Sequence, residues 1–193
     1  MEPKNYIEFC LDERIKKFTE LRRDKNLSSR IIRSVELICQ AYRKQKKVLF
    51  FGNGGSASQA EHFAAELIGR FRKEREPLKA IALTANTAVL TAVGNDYNFE
   101  QIFSRQLEAL ADEGDIAIGI STSGNSPNVI VGIKAAKRRR AKTIGLTGGK
   151  KNELENLADI NIAVPSDSTP EIQEGHLFIG HLICDLVEQT IFG

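Results

Sequence analysis

Lys46-Lys47-Val48-Leu49-Phe50-Phe51-Gly52-Asn53-Gly54-Gly55-Ser56 is a short apolar run that ends abruptly in a glycine-rich turn, and the residues after it follow a helical pattern carrying His62 and Glu66. An apolar strand that feeds such a turn into a helix leaves free backbone N–H groups at the helix N-terminus, where the partial positive charge favours a phosphate or another anion. His62 and Glu66, four residues apart, fall on one face of that helix with their Cβ atoms roughly 6 Å apart. The stretch predicts a strand–turn–helix unit with an anion cradle next to a titratable pair.

Downstream the pattern repeats. Strand candidates at 47–51, 79–84, 115–120, 142–147 and 160–164 alternate with helical stretches, which means βαβ units and a parallel sheet. Each candidate is an apolar run rather than a polar–apolar alternation, as expected of strands covered on both faces. The expected fold is a three-layer α/β/α sandwich on a five-stranded parallel sheet, with ligands bound beyond the carboxyl ends of the first and third strands. Upstream, residues 1–45 carry two helical patterns, Ile7, Leu11, Ile15 and Phe18 in the first and Ile31, Ile32, Val35, Ile38 and Cys39 in the second, with Ser28 or Ser29 as the cap of the second. This N-terminal helical hairpin cannot bury both faces on one small sheet, so it is expected to pack partly against another subunit, leaving 46–193 as the α/β core. Ser168-Thr169-Pro170-Glu171 reads as a capping box that opens a long last helix reaching to near Gln189.

The third strand runs into Ser121-Thr122-Ser123-Gly124-Asn125-Ser126-Pro127, four hydroxyls in six residues just before a helix. Hydroxyls and free N–H groups at a helix N-terminus suit a phosphate monoester. One or two would suffice to shape the turn and cap the helix; four favour the phosphate. The turn Gly52-Asn53-Gly54-Gly55-Ser56-Ala57 also fits the loose dinucleotide fingerprint. That reading needs an acidic residue at the end of the next strand, and the sequence offers Ala85-Asn86 instead. The His62–Glu66 pair reads either as a surface pair or as a metal or general acid/base pair. Gln173, His176 and His181 share the last helix, where Gln173 and His181 stand roughly 12 Å apart. To serve one ion they must reach toward each other or come from different subunits.

The totals exclude several classes. At 193 residues the chain suits one domain, and 27 Lys and Arg against 25 Asp and Glu leave a charge of +2, too balanced for a nucleic-acid binder. The one basic run, Lys137–Arg140, lies at an expected helix end, where cations complement the dipole. Cys10, Cys39 and Cys184, odd in number and without metal spacing, read as free packing thiols of a reducing compartment. No stretch has the length of a membrane span, and no signal peptide opens the chain. A cytoplasmic protein with no membrane and no nucleic-acid partner is expected.

With Gly-Asn-Gly-Gly-Ser, His62-x-x-x-Glu66, Gly94-Asn95-Asp96, Ser121-Thr-Ser-Gly-Asn-Ser126 and Gln173 with His181 in order over nearly the whole chain, the sequence closely resembles the phosphoheptose isomerases of the sugar isomerase (SIS) domain family. The resemblance implies a flavodoxin-like SIS fold, a homotetramer with active sites at subunit interfaces, and one Zn2+ per subunit. It implies conversion of sedoheptulose 7-phosphate, a phosphorylated seven-carbon sugar, to D-glycero-D-manno-heptose 7-phosphate, a first step toward nucleotide-activated heptose for lipopolysaccharide core or other surface glycans. Carried over by position, Asn53, Gly54, Gly55, Asn95 and Asp96 would line the sugar site, and Ser121, Thr122, Ser123 and Ser126 would grip the phosphate. His62, Glu66, Gln173 and His181 match the zinc ligands, with Glu66 and Gln173 also reaching substrate. Glu66 and His181 match the acid/base pair. Glu66 thereby holds two roles in tension, since a carboxylate bound tightly to a metal is a poorer base. A rival from another class is a non-catalytic SIS protein that binds the bacterial replication initiator or senses phosphosugars. The initiator-binding relative lacks a glutamate where this chain has Glu66 and a histidine where it has His181, so the presence of both favours the enzyme.

Overall fold

The computed structural model describes residues 2–193. Helices α1 (Pro3–Arg23) and α2 (Leu27–Arg43) precede β1 (Val48–Gly52) and α3 (Gly55–Ile68). Then come β2 (Ala80–Ala82), α4 (Thr87–Asp96), a 3-10 turn at Phe99–Gln101, α5 (Ser104–Leu110) and β3 (Ile116–Ser121). The chain continues through α6 (Pro127–Arg138), β4 (Lys142–Gly148), α7 (Glu153–Leu157), β5 (Ile160–Val164) and α8 (Thr169–Phe192). All strand pairs are parallel and the sheet order is β2-β1-β3-β4-β5, the flavodoxin-like arrangement, whose switch point falls between β1 and β3.

Strand residues alternate between two cores. Val48, Phe50, Ile118, Ile120, Ile144 and Leu146 face α2, α3 and α8, whereas Leu49, Phe51 and Ala117 face α5, α6 and α7. The sandwich is therefore three-layered, and its strands are buried on both sides because each face has its own helices. The five strands fall where the apolar runs place them, except that β2 keeps only three residues, at the sheet edge.

The helix boundaries hold corrections. α2 starts at Leu27 after Asn26; Ser28 and Ser29 lie inside its first turn, and the Ser29 hydroxyl donates to the Asn26 carbonyl instead of capping. The Ser168–Glu171 capping box is not made, because Glu171 accepts from the Ser166 hydroxyl at 2.6 Å and from Arg14 at 2.9 Å, and α8 runs three residues past Gln189. The basic run ends α6 as expected, with Arg138 on Glu108, Arg139 on the Ala111 carbonyl and Arg140 on Glu113.

The two N-terminal helices differ. α2 buries Ile31, Val35, Ile38 and Cys39 against the sheet, with Ile32 left outside. α1 leaves Ile7, Leu11, Ile15 and Phe18 exposed and touches α8 through Arg14, which pairs with Glu171 and Glu174, and through Phe18, edge-on to Phe178.

Candidate active site

The glycine turn works by close approach. Gly54, at φ +54°, is the residue from which α3 starts, and a Cβ on Gly55 would stand 2.5 Å from the Gln173 side-chain amide. Glycine at 55 is what lets α8 lay Gln173 against the turn. The Gln59 amide then donates to the Gln173 carbonyl at 2.7 Å, tying α3 to α8.

That docking assembles the titratable residues. His62 and Glu66 project from α3 and His181 from α8, and one ligand-capable atom from each lies within 4.8 Å of the others. The Nε2 atoms of His62 and His181 are 2.7 Å apart, and His62 Nε2 is 3.4 Å from a Glu66 carboxylate oxygen. A contact that short requires a shared proton, since two unprotonated nitrogens would repel. Burial and the neighbouring His62 push the His181 pKa below its usual value against the pull of Glu66. Two imidazoles and a carboxylate are also the donor chemistry that zinc takes. Gln173, two turns earlier on α8, makes no side-chain hydrogen bond to the three among the described residues, and its backbone carbonyl accepts from Gln59.

The loop after β3 supplies the hydroxyls. Ser121 Oγ lies 2.9 Å from Ser126 Oγ and 3.4 Å from Ser123 Oγ, and accepts from the Gly124 N–H at 3.1 Å. Ser126 is the residue before α6 yet gives that helix no side-chain cap, so its hydroxyl is not spent on helix stability. A cavity of about 250 Å³ opens at Thr122 and Ser123, with Lys150 and Lys151 also lining it. A larger one, about 860 Å³ between β2, α4 and α5, is mostly apolar and contains none of the expected site residues.

Three expected sugar-site residues sit differently from the rest. Asn53 is engaged with Asn128 of α6 through two amide hydrogen bonds of 2.8 Å. Asn95 and Asp96 are exposed at the end of α4, and the one side-chain hydrogen bond either makes among the described residues joins them to each other at 2.9 Å. His176 is fully buried, bonded to the Thr147 carbonyl, and takes no part in the cluster.

Sequence reasoning missed the residues that hold the cluster. Glu188, near the end of α8, accepts from the N–H groups of Phe71, Arg72 and Lys73 and from Arg75 Nε, at 2.9 to 3.1 Å. Arg75 in turn donates to the carbonyls of Leu67, Gly69 and Glu66, closing a knot around the end of α3. The Glu188 and Arg75 side chains are each 2% exposed. Burial works to raise the Glu188 pKa, but the N–H groups and the guanidinium outweigh it and hold the carboxyl below its ordinary value. The loop so fixed lays Phe71 against the His181 ring at 5.6 Å. An acid inside the apolar closing stretch was the one available signal, and it named no partner.

The SIS domain family model matches residues 14–148. Phosphoheptose isomerase of Clostridium acetobutylicum is 47% identical over 190 residues, covering 98% of this chain and 97% of that protein. The Geobacter sulfurreducens phosphoheptose isomerase is 51% identical over 169 residues, covering 88% and 89%. Among solved structures, the phosphoheptose isomerase of Francisella tularensis superposes with a TM-score of 0.93 at 38% identity, covering 98% of this chain and all of that one.

Proposed function

The chain belongs to the SIS domain family and, within it, to the phosphoheptose isomerases, and from that premise we propose that it converts D-sedoheptulose 7-phosphate to D-glycero-D-manno-heptose 7-phosphate. The product feeds nucleotide-activated heptose for lipopolysaccharide core or other surface glycans. Moving a carbonyl from C2 to C1 requires a proton to leave C1, an enediolate to be stabilised and a proton to arrive at C2. Glu66 takes the C1 proton, and His181, its pKa lowered by burial, exchanges protons with the substrate oxygens. Ser121, Thr122, Ser123 and Ser126 hold the phosphate, and Asn53, Gly54, Gly55, Asn95, Asp96 and Gln173 bound the sugar. The observation that carries this reading is the meeting of His62 and Glu66 with His181 across two helices.

His62, Glu66, Gln173 and His181 would hold one Zn2+ per subunit, which as a Lewis acid supplies stabilisation of negative charge on oxygen. The gathering of ligand atoms from His62, Glu66 and His181 within 4.8 Å of one another supports that assignment. The protein is a homotetramer with active sites at subunit interfaces, a reading supported by the bare apolar face of α1 and by the exposure of Asn95 and Asp96. Three unpaired cysteines support the cytoplasm; no helix among the described residues is long and apolar enough to cross a membrane. The initiator-binding or phosphosugar-sensing alternative is not favoured, because Glu66 and His181 are both present.

The test is turnover of sedoheptulose 7-phosphate by purified protein, metal-stripped and then zinc-restored, followed by NMR with metal content measured alongside. Zinc at one equivalent per subunit and restored turnover are expected. No turnover in either state, with the fold intact, overturns the isomerase in favour of a binding protein.

A further inference from the structure

The sugar turn and the hydroxyl loop leave adjacent strands, and one pair of side chains joins them. Asn53 Nδ2 donates to Asn128 Oδ1 and Asn128 Nδ2 donates to Asn53 Oδ1, both at 2.8 Å. Asn128 is 2% exposed, in the first turn of α6, two residues after Ser126. Among the described residues no other side-chain hydrogen bond links the two loops. Beneath the pair, Gly52 lies opposite Ile120, and a Cβ there would stand 2.7 Å from the Ile120 carbonyl, so the strand ends already touch. At its far side the sugar turn is closed by Gln173 over Gly55. The hydroxyl loop keeps its own shape through Ser121, Ser123, Ser126 and Gly124. It does not need Asn128 for that.

A reciprocal amide pair is directional: each side chain gives one donor and accepts one, so distance and angle are both set, where an apolar contact would let the loops slide. We propose that Asn128 is a positioning residue that determines substrate length, fixing through Asn53 the spacing between the phosphate loop and the sugar turn and so the number of carbons that fit between them. This rests on the roles given to those two loops above. Asn128 touches no substrate; it acts through Asn53.

The test compares wild type with Asn128→Asp, which keeps the shape but cannot donate, and Asn128→Ala. Five quantities are measured on four ligands: kcat and KM for sedoheptulose 7-phosphate, and inhibition constants for fructose 6-phosphate, ribulose 5-phosphate and inorganic phosphate. With a buried amide left unpaired, preference for the seven-carbon sugar over the shorter ones should fall about tenfold or more, while inhibition by inorganic phosphate stays within about threefold. An equal loss for all four ligands, no change in a protein whose melting curve shows it folded, or loss of the fold in both variants overturns the proposal. If wild type fails to turn over sedoheptulose 7-phosphate, the isomerase reading falls by itself, and calorimetric binding of the same four ligands still decides whether Asn128 sets length.

Discussion

Ser121, Ser123 and Ser126 bond to one another within six residues of chain, whereas His62 and His181 meet across a separation of 119. The hydroxyl loop needs only that β3 ends and α6 begins. The histidines need α3 and α8 docked in register, which Gln59 secures at one end and the Arg75–Glu188 knot at the other. A local site tolerates damage elsewhere; a site made by docking inherits the stability of the docking. Substrate grip and chemistry should therefore be separable by mutation.

The largest separation is expected of Glu66→Gln. Removing the base should lower kcat by roughly 10²–10⁴ while competition by inorganic phosphate at the hydroxyl loop is unchanged. Full turnover in that protein would remove Glu66 from the mechanism. Next comes Glu188→Ala, which touches neither substrate nor metal. It leaves the Arg75 guanidinium buried without its carboxylate and three backbone N–H groups unpaired, at a cost of about 3–5 kcal/mol in a urea titration. In the protein that remains folded, turnover should suffer more than phosphate binding. Equal loss of both would mean that the loop and the helix pair are not independent.

The same contrast explains what could be read in advance. Strands such as Val48–Gly52 and Ile116–Ser121 are mainly apolar runs between turns, so their places and the layered fold were visible in one dimension. The hydroxyl loop was visible for the same reason, its parts being neighbours in sequence. Glu66 and His181 were named because their pattern resembles a family, and spacing alone left them open. The Ser168–Glu171 box failed because Glu171 had a better offer from Ser166 and Arg14, a competition that sequence order does not display. Arg75 and Glu188 lie 113 residues apart, and Asn53 and Asn128 lie 75 apart; no periodicity pairs them.

His176 belongs to neither site, although it stands on α8 between Gln173 and His181. Its Nε2 bonds the Thr147 carbonyl at 3.0 Å, its Nδ1 has no partner, and burial pushes its pKa down to about 4. The folded protein keeps the ring neutral where the unfolded chain would protonate it near pH 6.5. The stabilisation is therefore complete above that pH and is lost as pH falls toward 4, about 3 kcal/mol in all. His176→Gln should flatten stability against pH over that window in denaturant titrations. An unchanged slope would show that His176 is charged in the folded state or that another group dominates.

The smallest effect is expected of Ser126→Ala, and its smallness is informative. A serine before a helix usually caps it, and its loss then costs about 1 kcal/mol of stability. Here Ser126 makes no cap bond to α6, so the melting temperature should hardly move. What the substitution removes is one hydroxyl from the loop, 2.9 Å from Ser121, which frees Ser121 to turn without disturbing α3 or α8. KM for the phosphorylated sugar should rise about three- to tenfold, the worth of one modest hydrogen bond, with kcat nearly unchanged. A drop in stability with KM intact would return Ser126 to the role of a helix cap. A large drop in kcat would mean that substrate grip and chemistry are coupled and not separable.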